Sequence, residues 1–546
     1  MARSCFAASS LPTSCLRSSV RDSLTWRGLS LAIVIALACS DMTGCTRQSV
    51  VWGVAGEVRI GYLGTIYTLN PLIAFGQRLI DLTQLYAQPL VGISPRNRAI
   101  PVLCEEVPTI ANGGISRDGL TITYHLRRGV RFADGTPFTS RDVAFTYRAI
   151  LDPRNPVTEA SPYERIASLE TPDPYTVRIR LKHRWFGAVY ELFAASDYVY
   201  GILPAHAFAS TDMVHAAWNE HPFGTGPFRV VRWTRGDSVE LVPNPYARPA
   251  PRLRRVVVRM LADENTALVA LRAHAIDFTD ITFEQLAQAR ADPGIAVVPI
   301  ARNEVDDLEF QTQGAAMRDV RIREAVAYAV DRAAIARAVY RGTSPLATTE
   351  IPPLFAEHDA NIAAYPYDPA RARALVGRRH VSARISFNAS EETYRAVATV
   401  VQASLHAVGI DATLEGVTPA LLYAPPASGG ILYDGRFDIE VGGWYGGLDP
   451  EASEPWTCAN RAPYGPNVAR WCDARYDAAF AHQQRRLVAR ARFADFATMQ
   501  ERVHDALPAI FLVYRTEFEA INPALRGFAP NMLYNFGQVE DWTLSP

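Results

Sequence analysis

Two pairs of adjacent acidic residues are the first candidates for chemistry in this chain. Asp306-Asp307 and Glu391-Glu392 could serve as general acid and base, because two carboxyl groups in different environments can exchange protons at neutral pH. Adjacent acids more often lie in solvated turns, and we expect that role here. The chain has no Gly-x-Ser-x-Gly, His-Glu-x-x-His or Gly-x-x-x-x-Gly-Lys motif. The sequence therefore predicts no catalytic residues, no metal site and no cofactor.

A glycine-rich stretch, GGWYGG at residues 442–447, is the next feature that could contact a small molecule. Its spacing is not that of a dinucleotide-binding fingerprint, and no helix start follows it. Trp444 and Tyr445 either stack on a ligand or pack within the loop, and the sequence leaves both roles open.

The first 45 residues have the pattern of an export signal. An arginine-rich segment precedes the apolar run 29–38, which is too short to span a membrane but typical of a secretory signal. The residues Met42-Thr43-Gly44-Cys45 resemble a bacterial lipobox, in which the cysteine is lipidated and becomes the N-terminus. Cys39 is a second candidate, and a cleaved signal without lipid is the alternative. We predict an exported protein, periplasmic or at the cell surface, anchored through a lipid on Cys45.

Export changes how the remaining cysteines are interpreted. Cys458 and Cys472 are 14 residues apart in a segment rich in turn-forming residues. In an oxidising compartment this pair is expected to form a disulfide, with two buried thiols as the alternative. A metal site is disfavoured, because no histidine lies near and no Cys-x-x-Cys spacing occurs.

Strand and helix patterns alternate along the rest of the chain. Residues 57–62, 121–126 and 176–181 alternate polar and apolar side chains, as strands do, and Asp263 and Asp319 stand where helix N-caps are expected. This alternation predicts parallel or mixed sheets covered by helices. A single core stops growing at ~250–300 residues, so a chain of 546 residues is expected to form at least two lobes.

The overall composition is that of a globular protein with balanced charge. Apolar residues make up 49% of the chain, and 55 basic residues oppose 56 acidic ones. Because no basic excess is present, we expect no nucleic-acid partner. Lys182 is the only lysine, which points to a codon bias of the source genome.

Several segments resemble one known family. Residues 118–139, DGLTITYHLRRGVRFADGTPFT, resemble the signature of the bacterial family 5 solute-binding proteins, which serve ABC importers of peptides, nickel and related solutes. Further matches follow in family order at 224–228, 270–277 and 319–332. The resemblance covers the chain from about residue 57 to residue 546.

The resemblance implies a fold and a set of boundaries. The expected fold is the α/β, two-lobed periplasmic-binding-protein fold, type II-like, with the extra subdomain of the peptide-binding class and a two-strand hinge. The expected boundaries are 1–45 for the signal and lipobox, 46–261 for lobe I with the extra subdomain, 262–508 for lobe II, and 509–546 for the return to lobe I.

The resemblance also implies where a ligand would lie. Dipeptide and oligopeptide binders of the family hold the ligand amine with an aspartate in a Gly-Trp-x-x-Asp-like stretch. Here Gly447 takes the position of that aspartate, and Asp449 stands two residues later. A shift of two residues in the alignment would restore the anchor at Asp449.

The other anchor and the first-lobe loop follow from the same comparison. In dipeptide binders an arginine holds the ligand carboxylate, and the corresponding position here lies near Asn388, with Ser390 in the same loop. The ligand-side loop of the first lobe contains Ala74, Phe75 and Gly76. A zwitterionic dipeptide needs a partner for each charge. A longer, modified or less charged solute is therefore favoured. Arg515 is expected to form a structural ion pair.

The function implied is that of an extracytoplasmic, non-enzymatic binding component of an ABC-type importer. It would be a monomer that binds a peptide or peptide-like solute between its lobes and delivers it to permease and ATPase subunits. The alternatives are a binder of an oligosaccharide, opine or metal chelate, a secreted hydrolase that uses an acid pair, and a sensor lipoprotein without a transport partner.

Overall fold

The computed structural model describes residues 54–545 except 75, 158, 197–200, 209, 211 and 451–453. The export signal and Cys45 lie outside the described residues. Within the described part of the chain, no helix has the length and apolar character that a membrane crossing requires.

Strands and helices alternate along the described chain. The strands are β1 (Glu57–Leu63), β2 (Val91–Ile93), β3 (Ala99–Pro101), β4 (Thr121–His125), β5 (Ile166–Asp173), β6 (Thr176–Leu181), β7 (Phe228–Thr234), β8 (Ser238–Pro243), β9 (Arg255–Leu261), β10 (Phe278–Ile281), β11 (Ala296–Phe310), β12 (Val381–Asn388), β13 (Ile410–Val417), β14 (Ile439–Tyr445), β15 (Ala509–Ile521), β16 (Leu525–Arg526) and β17 (Thr543–Leu544). The helices are α1 (Gln77–Gln84), α2 (Ser140–Ile150), α3 (Ser161–Glu164), α4 (Ala188–Glu191), α5 (Glu264–Arg272), α6 (Leu286–Arg290), α7 (Val320–Ala329), α8 (Arg332–Ala338), α9 (Pro369–Val376), α10 (Glu392–Ala407), α11 (Pro419–Leu422), α12 (Ile431–Asp434), α13 (Ala474–Gln484) and α14 (Phe493–Ala506).

The helix starts predicted at Asp263 and Asp319 are confirmed by capping hydrogen bonds, and a third helix start has the same kind of cap. The side chain of Asp263 accepts a hydrogen bond from the backbone of Thr266 at the start of α5. Asp319 does the same for α7 and Asp331 for α8. Each carboxylate satisfies a backbone N–H that has no partner within its helix and lies near the positive end of the helix dipole.

One mixed sheet of ten strands runs through the molecule, in the order β13-β12-β14-β11-β15-β10-β1-β9-β8-β7. Its centre is formed by the two longest strands, β11 and β15, which pair in antiparallel fashion. β1 pairs in parallel with both β9 and β10, and β12 pairs in parallel with both β13 and β14. The expectation of a mixed sheet is confirmed.

Two large hydrophobic clusters occupy different parts of this sheet. The first contains β1 and β7–β9 side chains and also packs the smaller sheet β4-β6-β5. The second is formed by the inward side chains of β11–β15 and helices α7–α10. β15 contributes to the second cluster as far as Ala520 and to the first at Ile521, so this strand passes from one cluster to the other.

The opposite face of β11 and β15 carries a third cluster. Val305 and Phe511 point into it, whereas Leu308 and Leu512 point into the second cluster. Helices α13 and α14 cover this face with Tyr476 and other side chains. The sheet is therefore buried on both faces in this region, and polar side chains on its strands are withdrawn from water.

The expected disulfide is present in the structure. Cys458 and Cys472 are bonded, and Cys104 is the free cysteine among the described residues, where it is fully buried. The bond closes a loop that lies beside helix α13, where the backbone N–H of Cys458 donates to Asp477.

Replacing both Cys458 and Cys472 by serine should lower the free energy of unfolding by about 3 kcal/mol, because the open loop gains conformational entropy in the unfolded chain. Urea denaturation checks this. Dithiothreitol should lower the stability of the wild type to that of the double variant and leave the variant unchanged. Equal stabilities of wild type and variant without reductant would contradict the prediction.

Candidate functional site

The centre of the candidate site is an interruption in the pairing of β11 with β15. The regular register stops after Ala301, opposite Thr516, and resumes at Val305, opposite Tyr514. We call this irregular stretch, residues 302–304 of β11 and the facing residues of β15, the strand crossing. An irregular step of this kind bends a strand and redirects its side chains.

Arg302 connects the strand crossing to the C-terminal segment. Its side chain is 5% exposed and forms an ion pair with Glu517 at 2.7 Å. Its other donors reach the backbone oxygen of Asn531 at 3.0 Å and the side chain of Asn535 at 2.6 Å. The backbone N–H of Asn535 in turn donates to Asp81 of α1 at 3.0 Å. One buried guanidinium thus binds together β11, β15, α1 and the chain end.

Arg515 forms the second ion-pair group of the strand crossing. Its Nη1 lies 3.5 Å from Glu304 and 3.3 Å from Asp306. The structural ion pair expected for Arg515 is therefore present. The pKa of Glu304 is raised to about 8 by burial, and the charge of Arg515 opposes that rise.

The acid pair Asp306-Asp307 does not lie in a solvated turn. Both residues stand within β11 and are fully buried, so the prediction from sequence was wrong for this pair. A long strand that is covered on both faces places consecutive side chains in different interior environments. Glu391 and Glu392 instead stand at the start of α10 and are exposed.

A first wall beside the strand crossing is formed by polar and aromatic side chains of β1, the loop after it, β10 and α1. Arg78 donates a hydrogen bond to Asp280, and Tyr67 is 55% exposed. Burial raises the pKa of Tyr62 to about 12, with Arg78 opposing the rise and Tyr67 and Asp280 adding to it. These four side chains therefore share one electrostatic environment.

A second wall comes from the strand ends and loops around α10. It contains Glu391, Tyr423 and Tyr445, and the two tyrosines are 45% and 54% exposed. Although Glu391 as a residue is exposed, partial desolvation of its carboxyl raises its pKa, and Arg515 and then Arg78 oppose that rise. Because Arg78 belongs to the first wall and its charge acts on Glu391, the two walls lie near each other beside the strand crossing.

Trp444 points into the protein rather than standing free on the second wall. Its ring packs edge-on against the buried Trp456 at 6.2 Å, and its side chain is hydrogen-bonded to Glu309. This contact supports the packing role for Trp444. Tyr445, the next residue, is exposed and lies opposite Glu304 in the β11–β14 pairing.

Gly447 lies beside the strand crossing, and Asp449 does not. The backbone oxygen of Gly447 accepts a hydrogen bond from Asn303 at 2.8 Å, and Gly446 donates to the oxygen of Asn303 at 3.0 Å. Asp449 is fully buried and forms an ion pair at 2.7 Å with Arg492, which is also buried. Its carboxylate is therefore engaged within the protein.

The other predicted site residues lie at the starts of two helices. Asn388 ends β12 and accepts a hydrogen bond from the backbone of the exposed Ser390 at 3.0 Å, just before α10. Gly76 precedes α1 with φ near 88°, and a Cβ there would meet no atom within 4 Å. Ala74 is buried in the first hydrophobic cluster. Phe75 lies outside the described residues.

Most of the charged residues that surround the strand crossing were not predicted from the sequence. Arg78, Asp280, Arg302 and Glu517 come from four separate elements, and no local motif connects them. One signal in the sequence could have indicated a site here. Residues 304–309, EVDDLE, contain four acids, and such a density is unusual for a strand buried on both faces.

Comparison with known proteins identifies the family. Residues 100–464 match the middle region of the bacterial extracellular solute-binding proteins, family 5. The chain belongs to this family. Its two-lobed α/β fold is shared with solved relatives, among them NikA of Brucella suis in complex with Fe(III)-EDTA, with a TM-score of 0.79 and 22% identity over 90% of this chain and 100% of that one.

Curated relatives match this family-5 protein over part of their length. A Brucella ovis protein, provisionally named as an ABC transporter peptide-binding protein, is 29% identical over 359 residues. This match spans 64% of the chain and 64% of the relative's own length. Di/tripeptide-binding protein 2 of Pseudomonas aeruginosa is 25% identical over 80% of the chain and 86% of the relative.

Removing the guanidinium of Arg302 should destabilise the family-5 fold strongly. Arg302→Met leaves Glu517 and Glu519 without their buried cation, and we expect the free energy of unfolding to fall by about 3–5 kcal/mol. Urea denaturation measures the change. The control Arg229→Met removes an exposed arginine and should change stability by less than about 0.5 kcal/mol. Similar values for the two variants would refute a central role of Arg302.

Proposed function

We propose that this protein is the extracytoplasmic solute-binding component of an ABC-type importer. It binds a peptide or peptide-like solute between its lobes and delivers it to a membrane permease with its ATPase subunits. The observation that carries the proposal is the set of exposed aromatic and charged side chains beside the strand crossing, with Arg78 on the first wall and Tyr423 and Tyr445 on the second. Membership of a solute-binding family supports the same role.

The proposed lobes keep the boundaries expected from the sequence. Lobe I comprises residues 46–261, lobe II residues 262–508, and residues 509–546 return to lobe I. Helix α5 packs Leu268 and Leu271 into the second hydrophobic cluster, which supports a boundary after Leu261. β11 and β15 would then be the two-strand hinge, because closure between lobes requires a few residues that absorb the change in direction.

The solute is proposed to differ from an ordinary zwitterionic dipeptide. Gly447 offers no carboxylate for an amine, and the carboxylate of Asp449 is occupied by Arg492. Asn388 likewise offers no positive charge for a terminal carboxylate. A longer peptide, a modified peptide or another solute with a different charge pattern is therefore favoured.

A solute that binds between the walls should raise the melting temperature, since it stabilises the folded state alone. A solute present at 100 times its Kd should raise the free energy of unfolding by about 2.7 kcal/mol. We expect a shift of a few degrees for at least one compound in a thermal-shift screen of peptides, opines, oligosaccharides and metal chelates. Mass spectrometry of each compound after incubation should show it unchanged.

Two tyrosine variants locate the binding event. Tyr445→Ala, on the second wall, should reduce the shift, whereas Tyr464→Ala, whose side chain is 95% exposed and belongs to neither wall, should leave it intact. A screen without any shift would count against a binding protein, and formation of a product would favour the hydrolase.

The protein is further proposed to be held at the membrane by a lipid on Cys45. Cys45→Ser should move the protein from the membrane fraction to the soluble fraction after cell breakage, and Cys39→Ser should not. Metabolic labelling with palmitate measures the lipid directly. Release by Cys39→Ser alone would assign the lipid to Cys39, and membrane retention in neither wild type nor variants would show a plain cleaved signal.

A further inference from the structure

Three carboxyl groups lie together on one face of β11 and β14. Asp307 and Glu309 are two residues apart on β11, so their side chains point to the same face. Glu440 is the partner of Glu309 in the β11–β14 register, and Gly442 is the partner of Asp307. Paired residues share a face of the sheet. We call Asp307, Glu309 and Glu440 the acid cluster.

The acid cluster is deeply buried and has no cation of its own. Asp307 is 0%, Glu309 2% and Glu440 4% exposed, and neither carboxylate oxygen of Asp307 has a hydrogen-bond partner among the described residues. Glu309 accepts hydrogen bonds from the backbone of Ala469 at 2.7 Å and from Trp444. Buried carboxylates of folded proteins are normally paired, and Asp307 is therefore an exception that calls for a partner.

Asp306, the residue before Asp307, does have a cationic partner. Asp306 lies 3.3 Å from Arg515. In the described part of the chain, no arginine, lysine or histidine forms an ion pair with a member of the acid cluster. The charges that act on Asp307 are those of other carboxyl groups, namely Glu309, Glu440 and Asp306. Burial and this mutual repulsion raise its pKa far above the ordinary value.

The backbone leaves space for the acid cluster. A Cβ placed on Gly442 would lie 2.3 Å from Oε1 and 2.5 Å from Oε2 of Glu440, closer than atoms can approach. The carboxylate of Glu440 therefore occupies the volume that any larger residue at position 442 would fill. Gly442 thus lets the Glu440 carboxylate lie over β14, and a larger residue there would displace that side chain.

The acid cluster adjoins the second wall of the site. Burial raises the pKa of Tyr423, and the charges of Glu440, Glu391, Tyr445 and Asp307 raise it further. The charges of the acid cluster and of the wall residue Glu391 therefore both act on Tyr423, whose side chain is 45% exposed. Tyr423 and Tyr445 are therefore exposed aromatic rings in the electrostatic surroundings of the acid cluster.

The arrangement fits an organic cation better than a metal ion. Among the residues that the structure describes, no three acidic, histidine or cysteine side chains converge in a way that could hold a metal ion. Guanidinium and ammonium groups are hydrogen-bond donors that match carboxylate oxygens. Both groups are also attracted to the faces of aromatic rings.

We propose that Asp307, Glu309 and Glu440 form a subsite for the guanidinium or primary ammonium group of the bound solute. The proposal rests on the proposed function, because the subsite is assigned to the solute that this function would bind. It names the solute class as cationic, with the positive group directed into lobe II.

The test compares two tripeptides that differ in charge and little in shape. Ala-Arg-Ala carries a guanidinium, and Ala-citrulline-Ala carries a neutral urea group in its place. Isothermal titration calorimetry with the mature protein should show at least tenfold tighter binding of the arginine peptide. Agmatine and spermidine serve as non-peptide cations in the same assay.

Variants then assign the preference to the acid cluster. Asp307→Asn and Glu440→Gln should each reduce the preference for arginine over citrulline at least fivefold and retain the binding of the citrulline peptide. The control Asp411→Asn neutralises an exposed carboxyl of the same lobe and should keep the wild-type preference. Because no cation is lost on substitution, both variants are expected to fold, and thermal melting confirms this for each.

The outcomes separate the subsite from the proposed function. Equal binding of the two tripeptides, or a preference that persists in both variants, would overturn the subsite. Binding of the citrulline peptide alone would overturn the subsite and leave the proposed function intact. No binding by either tripeptide, agmatine or spermidine would overturn the subsite, and the wider thermal-shift screen would then decide on the proposed function.

Discussion

Charge compensation at the strand crossing is the constraint on which the architecture depends. β11 and β15 must run through the interior to join the two hydrophobic clusters, yet they carry Arg302, Glu304 and Arg515 where little water reaches. Each guanidinium meets at least one carboxylate, and Arg302 also satisfies the backbone of the C-terminal segment. A buried ion left alone costs several kcal/mol, so these contacts fix the position of α1, of the chain end and of both strands at once.

The same constraint divides the acids of β11 into two classes. Asp306 faces Arg515 and belongs to the structural network. Asp307, one residue later, faces the other side of the sheet, where the described residues supply no counter-ion. Adjacent positions on one strand thus serve stability and solute recognition separately, since alternation along a strand sends consecutive side chains to different environments. Asp307, for which the described residues supply no counter-ion, is therefore the carboxyl group that remains for a solute.

Local elements of this chain could be predicted from sequence, and long-range pairs could not. Alternation at residues 121–126 and 176–181 identified β4 and β6, and the carboxylates of Asp263 and Asp319 identified helix starts, because these signals lie within a few residues. The family resemblance supplied the fold. The partners of Arg302 and Arg515 lie about 210 residues away, so no pattern in the sequence connects them. The solvated turn expected at Asp306-Asp307 was wrong because local acidity does not reveal burial on both faces.

The position of the acid cluster offers a physical reason why residue 447 can be a glycine rather than an acid. An acid at position 447 would present negative charge on a loop next to the strand crossing, close to Glu304. Here the carboxyl groups lie deeper, at Glu440 on β14 and at Asp307 and Glu309 on β11. A solute held there would contact groups fixed by strand pairing, which lose little freedom on binding, and the cost of ordering a loop is avoided. A cation so placed would favour the ionised form of carboxyl groups that burial otherwise keeps protonated, so solute binding and the release of a proton from the acid cluster would be coupled.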